Sequence, residues 1–163
     1  NIEPRKNQQM LLKAMREFPD LKLINIGQCR DEAYYRECKR EGGDQFITFG
    51  RLEYASKILR SAMGGWELFA MPSTLETPSI AALEAAYMGK KILITEIGST
   101  REYFQNEAVY INPMSLESIT NGLRIVLMQE ANESKIMPRN LLWSHTIKEL
   151  SRFYNELLED END

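Results

Sequence analysis

The thirty residues WELFAMPSTLETPSIAALEAAYMGKKILIT, Trp66–Thr95, hold a strand, a helix and a second strand in succession. Trp66–Met71 (WELFAM) is β-rich and is stopped by Pro72, and Lys91–Thr95 (KILIT) is a short apolar run that follows Gly89. Between them Ser79–Met88 favours helix and is apolar nearly all the way round, the pattern of a buried helix. A strand, a helical crossover and another strand make a βαβ unit with parallel strands.

The same alternation runs outward in both directions. Leu21–Gly27 (LKLINIG) and Gln45–Gly50 (QFITFG) read as earlier strands, each ending in glycine, and Ala108–Ile111 (AVYI) as a later one. Helical stretches fall between them at Asn7–Phe18, about Asp31–Arg40, Glu53–Ala62 and Thr100–Gln105. The first carries Leu11, Ala14, Met15 and Phe18 on one face. Two longer helices close the chain, with apolar faces of Leu116, Ile119, Leu123, Val126, Leu127 and of Ile147, Leu150, Tyr154, Leu157. The fold class expected is α/β, a single Rossmann-like, doubly wound parallel sheet flanked by helices. It occupies residues 1–158, and the acidic residues 159–163 form a disordered tail.

At 163 residues the chain makes one domain with a real core. Twenty basic and 24 acidic side chains give a net charge of −4, and no Lys/Arg run marks a nucleic-acid or anionic-membrane surface. Cys29 and Cys38 lack metal-ligand spacing, and the lone His145 stands far from both, so two free thiols in a reducing cytoplasm are expected and no metal site. No signal peptide or bilayer-length apolar run is present. The abrupt start at Asn1, without Met, reads as a piece of a larger protein.

Ligands of such sheets bind at the carboxyl ends of the strands. Gly27, Gly50 and the Pro72-Ser73 turn lie at those ends, where each serves either as an ordinary turn or as a point where backbone approaches a ligand. Glu84 is costly in an apolar helix unless something partners it. Thr77 suits the N-cap of that helix and Pro78 its first position, which puts Glu84 on one face below the helix N-terminus. That terminus is an anion site, so a phosphate there with a hydroxyl-bearing group toward Glu84 resembles a nucleoside diphosphate. Lys6, at the start of the first helix, adds a point charge for a phosphate or is a solvated lysine. Arg51 is a weaker case of the same kind, and Glu76 is expected to be exposed at the strand end.

Motifs of other chemistries are missing: G-x-G-x-x-G after a strand, the P-loop and the G-x-S-x-G elbow. A single histidine without a nearby nucleophile argues against a hydrolase triad. The eight methionines read as core filling.

In this order the segments resemble the C-terminal, donor-binding domain of retaining glycosyltransferases of family 4, one half of a GT-B fold, over nearly the whole chain. Ile2-Glu3-Pro4-Arg5-Lys6-Asn7-Gln8 is similar to the family's opening segment. Pro72-Ser73-Thr74-Leu75-Glu76 through Leu83-Glu84-Ala85-Ala86-Tyr87-Met88-Gly89 is similar to its signature of two glutamates separated by seven residues, ahead of a glycine-terminated helix. Gly98-Ser99-Thr100-Arg101-Glu102 and Tyr110-Ile111-Asn112-Pro113 match later landmarks. There are two departures. Asn1 stands where the family usually has an arginine, and Thr77-Pro78-Ser79 stands where it often has glycines.

The resemblance implies a transferase that moves a hexose from a nucleotide-diphospho-sugar to an acceptor, in polysaccharide or glycoconjugate synthesis. Catalytic residues would be Glu76 and Lys6. Substrate-binding residues would be Lys6, Gly27, Arg51, Glu76, Ser79, Ile80 and Glu84, with Glu76 facing the sugar and Glu84 the ribose. No metal or other cofactor is implied. The partners implied are the donor and a missing N-terminal acceptor-binding domain, through which peripheral membrane association could arise, and no nucleic acid. The fragment alone would bind nucleotide and catalyse little. Two alternatives stand beside this reading: a degenerate nucleotide-binding or scaffold module, and a nucleotide-sugar epimerase of the same fold.

Overall fold

A computed structural model describes residues 1–54, 56–77, 79–130 and 143–160. After a 3-10 turn at Pro4–Lys6, the chain alternates helix and strand: α1 Gln8–Met15, β1 Leu23–Ile26, α2 Glu32–Gly42, β2 Phe46–Phe49, α3 Lys57–Gly65 and β3 Leu68–Met71. It continues through α4 Ile80–Tyr87, β4 Lys91–Thr95, α5 Thr100–Phe104, β5 Val109–Ile111, α6 Leu116–Met128 and α7 Trp143–Asp160.

All strand pairing is parallel, as the sequence predicts, and the class is the doubly wound α/β one. The strands hydrogen-bond in two groups, β1-β2 and β3-β4-β5, rather than as one continuous ladder. Leu23 stands opposite Phe46 in the first, and Leu68 opposite Lys91 in the second. Between β1 and β3 lies a cavity of about 520 Å³.

β4 is buried along its whole length, which is why KILIT is a continuous apolar run rather than an alternating one. Its side chains divide between two cores by strand alternation. Leu93 joins Leu11, Leu12 and Met15 of α1 and Ile119, Leu123 and Val126 of α6. Ile92 and Ile94 join Ala82 and Ala85 of α4 and Phe104 of α5. On α6, Gly122 lets the helix lie close, since a Cβ there would stand 2.4 Å from the Ile111 Cγ2 atom. Lys91 is buried and ion-paired to Glu67 at 2.6 Å.

Several local expectations change. α3 begins at Lys57 rather than near Glu53, because the Ser56 hydroxyl accepts from the Leu59 amide and caps it. Thr77 does not cap α4. Ser79 does, its hydroxyl accepting from the Ala82 amide, and Pro78 lies outside the described residues. Nor is α4 buried all round. Its small face of Ala82 and Ala85 meets the sheet, while Ile80 is 72% and Tyr87 68% exposed. The apolar stripe of α7 is present, yet Ile147, Leu150, Tyr154 and Leu157 are exposed among the described residues. Of the expected tail, residues 161–163 lie outside the described residues, whereas Glu159 and Asp160 belong to α7.

Candidate functional site

Pro4 fixes the start of a tight turn, and the turn ends at Asn7 in the left-handed conformation, φ 58° and ψ 31°. Asparagine tolerates this region better than most residues. Its side chain also uses the position: Asn7 Nδ2 donates to the carbonyls of Pro72 at 3.1 Å and Pro113 at 2.8 Å. These residues follow β3 and β5, so one amide ties the turn to two strand-end loops. The Thr74 amide adds a third tie, donating to the Arg5 carbonyl at 2.9 Å.

The turn thereby presents Lys6 to the loop after β3. Lys6 Nζ donates to Glu76 Oε2 at 2.7 Å. Arg5 flanks the same oxygen at 4.0 Å and donates to the Leu75 carbonyl at 3.1 Å. Glu76 is therefore not exposed as its loop position suggested. It is 7% accessible, because two cations and a close backbone contact enclose it. The contact is with Gly98, which forms an isolated parallel bridge to Glu76. Gly98 has φ +96°, and a Cβ on it would fall 1.7 Å from the Glu76 carbonyl oxygen. Only glycine fits there.

The remaining sequence-predicted residues divide. Glu84, on α4, lines the same cavity as Lys6, and its carboxylate makes no hydrogen bond or ion pair among the described residues. Ser79 is buried at the α4 N-cap, and the Ile80 side chain faces away while its backbone begins the helix. The structure thus brings together Lys6 and Glu76 in contact, and Lys6 and Glu84 around one cavity. Gly27 is approached by protein: a Cβ there would lie 2.6 Å from the Asn1 backbone nitrogen. Arg51 is exposed in the segment after β2 and is not among the residues lining the cavity. Asn1, the residue replacing an expected arginine, has a structural part, its side-chain oxygen accepting from the Gln28 amide at 3.3 Å.

Sequence reasoning passed over Asn7 and Arg5. The signal for Asn7 was an asparagine between a proline-led turn and a helix, a common left-handed position. Arg5 carried no local signal, since its target lies seventy residues on.

Chemically, Lys6 offers a cation and Glu84 a carboxylate to one cavity, while Arg5 and Glu76 flank Lys6 outside its lining. Among the described residues, no group of three or more His, Cys, Asp or Glu side chains converges, and no helix is long and apolar enough to cross a membrane.

A family model described as "Glycosyl transferases group 1" matches residues 1–141. No curated protein matches the chain. Among solved structures, a glycosyltransferase from Rickettsia africae ESF-5 is similar at 16% identity with a TM-score of 0.79, over 97% of this chain and 46% of that one. Sucrose-phosphate synthase from Thermosynechococcus elongatus is similar at 15% identity and TM-score 0.74, over 98% and 44% respectively. Anabaena Alr3699/HepE in complex with UDP-glucose is similar at 18% identity and TM-score 0.68, over 78% and 37%. At these identities the likeness concerns the fold. The chain spans less than half the length of each of the three.

Proposed function

The chain belongs to the glycosyl transferases group 1 family, and from that premise we propose that it is the donor-binding domain of a retaining, family 4 hexosyltransferase. The donor is a nucleoside-diphosphate sugar, the acceptor is held by a further domain of the polypeptide, and the product belongs to polysaccharide or glycoconjugate synthesis in the cytoplasm. The observation that carries this reading is the Lys6–Glu76 contact at 2.7 Å, with Lys6 and Glu84 both lining one cavity.

Each group then has work to do. Lys6, helped by Arg5 and by the N–H groups of Ser79 and Ile80, stabilises the charge that develops on the departing diphosphate. Glu84 accepts the ribose hydroxyls. Glu76, released when the diphosphate takes Lys6, orients sugar hydroxyls and opposes positive charge at the anomeric carbon. The base rests near Gly27 and Gly50-Arg51. Protein cations and helix dipole supply the neutralisation, so the design needs no metal.

A second reading, a retired binding module, draws on the same pair: Glu76 already neutralises Lys6 before any anion arrives. One experiment decides between them. The full-length polypeptide is offered UDP-, GDP- and ADP-hexoses, and release of nucleoside diphosphate is followed together with the anomeric configuration of the product. The expected result is turnover of one donor with retention, falling on the order of 100-fold or more in Glu76→Gln. Turnover with inversion, or of none of the donors, contradicts the proposal.

A further inference from the structure

We propose that Met71 is a reversible oxidation site, at which a sulfoxide formed by hydrogen peroxide withholds Lys6 from an anionic ligand. What Lys6 binds rests on the donor reading above, whereas the site itself rests on geometry. Lys6 Nζ has two acceptors of very different strength: Glu76 Oε2 at 2.7 Å and Met71 Sδ at 3.8 Å. A thioether is a weak, neutral acceptor. The ammonium is therefore held firmly on the Glu76 side and loosely on the Met71 side. Lys6 and Met71 both line the cavity, so the loosely held side is the one a ligand there meets.

Met71 is also within reach of a small oxidant. It is the last residue of β3, half-buried, and packs against the core of Ile92 and Ile94 while lining the cavity. Met15 and Met63 line the same cavity but are only 3% and 8% exposed. Core filling accounts for those two methionines. It does not account for a thioether set against a lysine ammonium at the cavity wall.

In the oxidation the sulfur gives an electron pair to hydrogen peroxide. An S–O bond forms, the O–O bond breaks, and the second oxygen leaves as water. A methionine sulfoxide reductase reverses the step: its thiols become a disulfide and the added oxygen leaves as water. The product carries a polar S–O group where the weak acceptor stood. Its oxygen takes an N–H that Lys6 otherwise offers to a phosphate, and it turns the negative end of a dipole toward the incoming anion. An ammonium has three donors, and with Glu76 and the sulfoxide each holding one, a single donor remains for the ligand.

The full-length polypeptide is treated with hydrogen peroxide, its oxidised methionines are mapped by mass spectrometry, and UDP, GDP and ADP are titrated before and after. Met71 should oxidise ahead of Met15 and Met63. The nucleotide that binds should then do so about tenfold more weakly, the loss of one hydrogen bond to a charged group, and methionine sulfoxide reductase should restore it. Met71→Leu keeps the apolar bulk and lacks the sulfur, so peroxide should leave its own affinity unchanged. Cys29, Met88, Met114 and Met128 are exposed and oxidise in both proteins, so the comparison isolates Met71. Undiminished affinity with Met71 oxidised overturns the proposal, as does an equal loss in Met71→Leu, or a Met71 that stays reduced while Met88 oxidises. If the untreated polypeptide binds no nucleotide, the donor reading fails instead and Lys6 decides. Its acylation by an amine reagent should slow about threefold or more once Met71 is oxidised, since a hydrogen-bonded ammonium is harder to deprotonate, and an unchanged rate overturns the proposal.

Discussion

Lys6 and Glu76, seventy residues apart, meet at 2.7 Å in a spot where the carboxylate is almost withdrawn from water. Removing the cation strands the anion. Lys6→Met should therefore destabilise the fold by about 1–3 kcal/mol, less than for a fully buried pair because Arg5 remains 4.0 Å away. Glu76→Gln should cost less, since the lysine can turn toward solvent, and the double variant should recover part of the Lys6→Met loss. Urea midpoints of the four proteins test this, and a Lys6→Met change of under ~0.5 kcal/mol, the scale of an exposed pair, would refute it.

Gly98 holds Glu76 from behind. Gly98→Ala combines a left-handed backbone with a Cβ 1.7 Å from the Glu76 carbonyl oxygen, so the loop must move. Destabilisation by roughly 2–4 kcal/mol is expected, the range of strained core changes, together with weaker nucleotide binding. Thermal unfolding and a binding titration read the two effects, and a neutral Gly98→Ala would mean that the bridge is dispensable.

Asn7 offers a cleaner comparison. Asn7→Ala loses two side-chain hydrogen bonds and forces alanine into the left-handed region, whereas Asn7→Gly loses the bonds alone. The glycine variant should be the more stable by about 1 kcal/mol, and both should lie below the parent. Equal stabilities would show that the backbone conformation is not maintained.

Alkaline pH should act through Tyr34. Burial pushes its phenol well above the ordinary value of 10.0, and its oxygen accepts from the Gln9 amide at 3.0 Å. A folded pKa above the unfolded one favours the neutral form, so this contribution is whole below pH 10.0 and is lost as pH rises above it. The loss approaches about 1.4 kcal/mol per pH unit. Tyr34→Phe should be weaker at pH 8 yet show a flatter decline toward pH 11 in urea titrations. An unchanged slope would assign the alkaline loss elsewhere, Tyr110 being a second, partly buried phenol that burial pushes up.

The scaffold was legible where burial is two-sided or local signals suffice. KILIT is such a case, and all five strands fall where β-rich runs and terminal glycines put them. Lys6, Glu76 and Glu84 were singled out from spacing and resemblance, but the Lys6–Glu76 contact was not. What escaped depends on distant residues. Glu76 looked exposed because nothing within its own loop reveals the cations waiting at Arg5 and Lys6. The α4 helix looked wholly buried because composition cannot say that its alanine face alone meets the sheet. The hydrogen bonding of the described strands in two groups was likewise not foreseen.

The most direct test of the account is calorimetric titration of the full-length polypeptide with UDP, GDP and ADP, repeated on Glu84→Ala. Binding of one nucleotide, weakened at least tenfold when the Glu84 carboxylate is removed, is the predicted result, the loss being that of a hydrogen-bonded charged group, about 1.4 kcal/mol or more. Affinity unchanged in Glu84→Ala would contradict the donor site as drawn.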